Sequence, residues 1–303
     1  MALRHDVRRG ALCMLAAHLL FTLMSAMVKE LSGEIPVVEL MFFRAAFALP
    51  VVAGIVARYG SFASLRTKRF KGHFTRACTG TMAQAGSFIA LLALPLADAT
   101  VLGYTTPLFV TILAIPLLGE KVGLHRWSAV LLGFAGVLVI AIGQGAGHAL
   151  GPMAAWGLAG ALVQGVFSAF TTLLVRQLSA TESSTTITMW QSILMSSFTL
   201  LVLPFFWITP SWAQFGLLVA VGLVGGLAQV LLTEAYSSAQ VSSLGPYSYS
   251  SMLWSVALGW LVWGDRPTIW MLLGAVLIVA AGLYIVHREM VRRAKTLAAV
   301  GGK

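Results

Sequence analysis

The chain has 303 residues, 58% of them hydrophobic and only 10% charged, which is too apolar for a soluble domain, where about 25% of residues are charged. Its formal net charge of +10 raises nucleic acid as a partner. The basic residues are not interleaved with base-stacking aromatics, however, and that class is set aside. The composition leaves an integral membrane protein made of spans of about 20 apolar residues.

Ten such spans can be read in order. The first, 11–29, follows Arg4, Arg8 and Arg9 and could mimic a signal peptide, but its apolar run is too long and it opens a repeat. His18, Thr22, Ser25 and Lys29 recur along it on one helical face. Such a stripe avoids lipid, and either lines a cavity or holds a neighbouring helix. The second span, 36–57, carries Arg44 well inside the hydrocarbon. A guanidinium there could hold a substrate carboxylate through two parallel hydrogen bonds, or serve an ion pair or a carbonyl clamp.

Residues 58–72 form the longest polar connection and are expected along the inner interface. The third span, 73–94, contains Gln84, and the fourth, 98–118, contains Tyr104. A fifth covers 126–143, and the glycine-rich stretch Gly143 to Gly151 reads as a hinge between two halves. The sixth, 153–175, repeats the stripe of the first as Gln164, Ser168 and Thr171. The seventh, 185–208, brings Trp190. The eighth, 212–237, carries Gln229, Thr233, Tyr236 and Glu234, the last a candidate titrating carboxylate for proton coupling or a side chain snorkelling to the interface. Tyr249 and Trp254 lie in the ninth, 241–263, and a tenth, 268–286, precedes a basic tail.

The spans fall into two copies. Residues 82–121 align without a gap on 227–266, with Ala83/Ala228, Gln84/Gln229, Tyr104/Tyr249 and Gly119/Gly264 identical. Five spans per copy, an odd number, would turn the second copy upside-down relative to the first, the arrangement that builds a midplane substrate site in many transporters. The predicted fold is therefore an all-α integral membrane protein of ten transmembrane helices in two inverted five-helix repeats, 1–147 and 148–303. With both termini in the cytoplasm, 17 of the 20 basic residues fall inside, as the positive-inside bias requires. Cys13 and Cys78 are expected as free thiols.

Candidate substrate contacts are His18, Gln84, Tyr104, Gln164, Trp190, Gln229, Tyr249 and Trp254. Glutamines can donate and accept at a zwitterion, or can simply bond a facing backbone carbonyl. Tyrosine and tryptophan could line a pocket for a flat apolar group, or only pack. Small-residue faces at Gly157/Ala161/Gly165 and Gly222/Gly226 are expected where the repeats meet tightly. No His-Glu-x-x-His or Gly-x-Ser-x-Gly motif argues for an enzyme, and no cofactor or metal is implied.

The run from Asp98 through Tyr104 and Pro107 to Gly119-Glu-Lys121 resembles the fourth-helix signature of EamA-type proteins in the drug/metabolite transporter superfamily. So does the run from Leu231 through Glu234, Tyr236 and Gly245-Pro-Tyr-Ser-Tyr249 to Trp263-Gly-Asp265. Arg44 with Ala48, and Lys29 closing the first span, also match. The resemblance covers nearly the whole chain. It implies alternating access and a central cavity lined mainly by spans 1, 3, 4, 6, 8 and 9. Within the superfamily the chain is most similar to bacterial aromatic amino acid exporters. That implies export of amino acids, aromatic and other apolar ones, across a bacterial inner membrane. The alternative is an importer of a larger metabolite such as S-adenosylmethionine, riboflavin or a nucleotide-like compound.

Overall fold

The computed structural model describes residues 7–59, 66–118, 124–143, 152–178, 181–238, 247 and 249–301. Apart from one isolated bridge between Ser32 and Ile35, the described secondary structure is helical. In chain order the helices are α1 (Val7–Leu31), α2 (Val37–Tyr59), α3 (Phe70–Ala93), α4 (Leu96–Gly103), α5 (Thr106–Leu118) and α6 (Leu124–Ala141). They continue with α7 (Pro152–Leu178), α8 (Ser184–Val202), α9 (Trp212–Ser238), α10 (Ser250–Trp263) and α11 (Ile269–Gly301). Among the described residues six stretches are long and apolar enough to cross a membrane, and three shorter apolar helices accompany them.

Local chemistry sets the boundaries. Between α1 and α2 the chain turns at Gly33, whose φ of +97° suits glycine. Ser183 caps α8 by accepting the N–H of Thr186. Gly264, at φ +70°, ends α10 with its N–H on the Trp260 carbonyl, while the N–H of Asp265 returns to the Gly259 carbonyl. Gly264-Asp265-Arg266 is thus a helix-stop signal in this copy. Its counterpart Gly119-Glu120-Lys121 lies outside the described residues.

The span expected as one helix over 98–118 is broken. α4 ends at Gly103 and α5 starts at Thr106. Pro107 is the cause: it has no N–H for the Gly103 carbonyl, and its ring would collide with that carbonyl in a continuous helix. The Thr106 hydroxyl bonds the Gly103 carbonyl instead, at 3.0 Å, and the Thr105 hydroxyl bonds Leu102 O at 2.8 Å. In the second copy the described helix starts at Ser250, directly after Tyr249; residues 241–246, expected within the ninth span, lie outside the described residues, as does the expected hinge at 144–151.

Packing follows the repeat. α1 packs along α9, and their counterparts α7 and α3 pack along each other; α2 meets α8, and α6 meets α11. Each of these pairings maps onto another, or onto itself, when the copies are exchanged. Glycine permits the closest approaches. A Cβ on Gly86 would lie 2.5 Å from the Gly160 carbonyl oxygen, and one on Gly136 would lie 2.8 Å from the Gly274 oxygen. The expected small-residue faces behave the same way. A Cβ on Gly157 would meet Leu94 at 2.6 Å, and one on Gly222 would meet Phe47 at 2.3 Å. These contacts give helices without an aqueous driving force the dispersion they need.

Candidate functional site

A cavity of about 240 Å³ opens between α1, α3, α4, α7 and the start of α10. From α1 come His18, Thr22 and Ser25, so the stripe of the first span faces this space. Helix periodicity aligns them, and the Thr22 hydroxyl is tied to the His18 carbonyl at 2.8 Å. The buried Nε2 of His18 has no partner among the described residues. Opposite, Gln164 of α7 lies against the break in the fourth span. A Cβ on Gly103 would come within 3.2 Å of its amide nitrogen. The break therefore exposes a small residue where the amide needs room.

Tyr104 sits in that break, and its hydroxyl is 2.5 Å from Ser251 Oγ. Its ring meets the ring of Tyr249, centroids 4.9 Å apart and inclined 61°, a favourable edge-on geometry. Two residues equivalent by repeat thus touch each other across the molecule. The hydroxyl of Tyr249 lies over Gly282, where a Cβ would stand 2.5 Å from it. Ser87 and Leu91 of α3, with Ala99 and Thr100 of α4, complete the wall. The described lining is polar but contains no carboxylate, lysine or arginine.

The remaining candidates lie elsewhere. Gln84 and Gln229 do not line the cavity; both relate instead to Arg44, which lines a second, much smaller pocket between α2, α8 and α9. There Gln229 lines the wall beside Arg44, and Gln84 accepts from Arg44 Nη1 at 2.6 Å. α9 does not line the cavity, although the eighth span was expected to. Trp190 packs on Phe70 and His73, with ring centroids at 5.6 and 6.0 Å. Trp254 is 36% exposed and is not part of the cavity wall. Glu234 is 2.7 Å from Arg9, both side chains around half exposed. In the sixth span only Gln164 of the stripe reaches the cavity; Thr171 bonds the Thr79 hydroxyl of α3 at 3.0 Å and acts as helix–helix glue.

One residue was misplaced by sequence. Arg76, counted with the basic residues of the inner side, is inside α3 and 6% exposed, donating to the amide oxygen of Gln191. The signal was present: the expected span 73–94 already contains it, and α3, starting at Phe70, puts it more than a turn inside the helix. Lys29, in turn, donates to the Leu94 carbonyl at 2.8 Å and lies over the Trp263 ring at 5.5 Å.

Comparison with known proteins agrees with this architecture. Residues 8–142 and 155–287 each match the EamA-like transporter family. A riboflavin transporter of Rhizobium johnstonii is 31% identical over 94% of this chain and 93% of its own length. A pseudopaline exporter of Pseudomonas aeruginosa is 28% identical over 91% and 95%. An S-adenosylmethionine uptake transporter of Rickettsia bellii is 27% identical over 87% and 88%. These relatives give no support to the narrower likeness to aromatic amino acid exporters. With the family matched twice and nearly end to end, the chain belongs to the EamA-like transporter family and is a membrane transporter rather than an enzyme.

Proposed function

We propose that the chain is an alternating-access carrier of ten spans, with inverted repeats 1–147 and 148–303 and both termini in the cytoplasm of a bacterium. It takes a neutral, ring-bearing polar metabolite, riboflavin-like in chemistry, in the cavity between α1, α3, α4, α7 and α10. The observation that supports this most is the lining itself. The rings of Tyr104 and Phe21, an imidazole, an amide and several hydroxyls surround the space without a fixed charge. Such a wall can stack on a flat ring and hydrogen-bond heteroatoms and hydroxyls. It offers nothing to offset the desolvation of an ammonium and a carboxylate. The volume is close to the small end of small-molecule sites, and the relative with a riboflavin label supports the same class. His18, Tyr104 and Gln164 are the proposed contacts; Tyr249 is not part of the cavity wall and packs against the Tyr104 ring.

Export of aromatic amino acids is the second reading, favoured by the Tyr104–Tyr249 pair. Counterflow separates the two without presuming a direction. Proteoliposomes are loaded with excess unlabelled solute, and labelled riboflavin or labelled phenylalanine is added outside. Saturable riboflavin accumulation whose half-saturating concentration Gln164→Leu raises about tenfold is the expected result. Accumulation of phenylalanine alone would install the second reading, and accumulation of neither would remove both.

A further inference from the structure

Outside the cavity, two guanidinium groups lie in the helix bundle without an acidic partner among the described residues. Arg44 of α2 and Arg76 of α3 each use one nitrogen on a glutamine oxygen, Arg44 on Gln84 and Arg76 on Gln191. Each bond takes one of the two lone pairs on its glutamine oxygen. Arg44 Nε, Arg76 Nε and Gln84 Nε2 are all buried, and none has a partner among the described residues. The carboxylates of the described ion pairs are engaged elsewhere, Glu234 with Arg9 and Glu182 with His73. Two like charges and three unmet donors in a low-dielectric interior are costly unless something negative joins them.

Space for it exists. Arg44, Gln191, Gln229, Thr188 and Ser192 surround a pocket of about 20 Å³, where Gly225 and Gly226 keep α9 free of side chains. That is room for one water-sized occupant, which excludes an organic carboxylate. Arg44 brings to this pocket a positive charge with no acidic partner among the described residues, which a water cannot offset and a halide can.

We propose that this pocket binds a single small monovalent anion, chloride in the cell, between Arg44, Gln191 and Ser192. The site is separate from the substrate cavity but close to it. Gln84, which positions Arg44, is three residues from Ser87 of the cavity wall on the same helix, roughly 5 Å along its axis. The anion offsets the two arginines and fixes α2, α3, α8 and α9 relative to one another.

The test is thermal unfolding of the purified full-length protein in detergent, with chloride exchanged for gluconate at constant ionic strength. Chloride and bromide should raise Tm saturably by roughly 2–4 °C, and gluconate, too large for the pocket, should not. Arg44→Gln and Ser192→Ala should abolish and weaken the shift respectively. Equal melting in chloride and gluconate would overturn the proposal, as would a shift that survives Arg44→Gln. If that variant does not fold, bromide anomalous scattering from wild-type crystals decides. A peak within hydrogen-bond reach of Arg44 is expected, and a pocket without one sinks the idea.

Discussion

The cavity and the arginine pocket share α3 but solve opposite problems. Around the cavity, polar groups are neutral, and some are left open: His18 Nε2 is buried and unpartnered among the described residues. In the pocket of about 20 Å³, Arg44 supplies a charge that is partly tied down by the Gln84 oxygen, and Arg76 is held nearby on Gln191 of the same wall. A wall of neutral donors and acceptors can exchange a solute for water at modest cost, because neither state leaves an ion bare. A buried pair of cations cannot make that exchange cheaply. The difference is the reason to propose the first region for the moving solute and a fixed role for the second.

The largest expected effect comes from the shared wall. Gly86→Leu would drive a side chain into the Gly160 carbonyl and the Gln164 backbone nitrogen, 2.5 and 2.7 Å from the Cβ alone. Backbone cannot yield as a side chain can, so α3 and α7 should separate, with loss of folded protein in a detergent thermostability assay. Gly216→Leu, with nothing within 4 Å of its Cβ, should be silent. A stable Gly86→Leu variant would show that the cavity wall is looser than its glycines suggest.

Next in size is the direct test of the division. Gln164→Leu should weaken solute binding about tenfold, the cost of about one well-placed buried hydrogen bond, read as the half-saturating concentration in counterflow. Trp254→Ala and Trp190→Ala should leave that concentration unchanged, since neither residue reaches the cavity wall. If Trp254→Ala abolished transport while Gln164→Leu did nothing, the assignment of the cavity would fail. Tyr104→Phe is a milder probe. It removes the hydroxyl contact with Ser251 while keeping the ring against Tyr249, so an effect of about 1 kcal/mol, or roughly fivefold, is expected.

Much of this was legible in the sequence. Composition and the offset of 145 between Gln84 and Gln229, or Tyr104 and Tyr249, carried the class and the repeat, and the stripe His18/Thr22/Ser25 pointed at the cavity because a helix puts those positions on one face. Which stripe residue meets a solute and which meets a helix was not legible. Gln164 and Thr171 share the motif, yet only Gln164 faces the cavity, because α3 lies close enough at Thr79 to take the other. Gln84 and Gln229, equivalent by repeat, do not line the cavity: Gln84 bonds Arg44 and Gln229 lines the small pocket with it, a placement that depends on how α2 packs against α9, a contact no single-span pattern contains. The break at Tyr104 was written in Pro107 and was overlooked because hydropathy runs straight through it.

The smallest effect concerns charge that belongs to neither region. Glu234 was a candidate for proton coupling, but it meets Arg9 at 2.7 Å, with side chains 41% and 50% exposed. An ion pair that open to its surroundings contributes about 0–1 kcal/mol, so Arg9→Ala and Glu234→Gln should each shift the unfolding midpoint only slightly. A carboxylate that couples transport to protons must exchange its proton as the cavity changes sides, and Glu234 does not line the cavity. Glu234→Gln should therefore leave the pH dependence of counterflow where it is in the wild type. A flattened pH profile in that variant, with folding and saturation intact, would move the coupling group from the cavity to the end of α9 and give the second copy a role the neutral cavity does not predict.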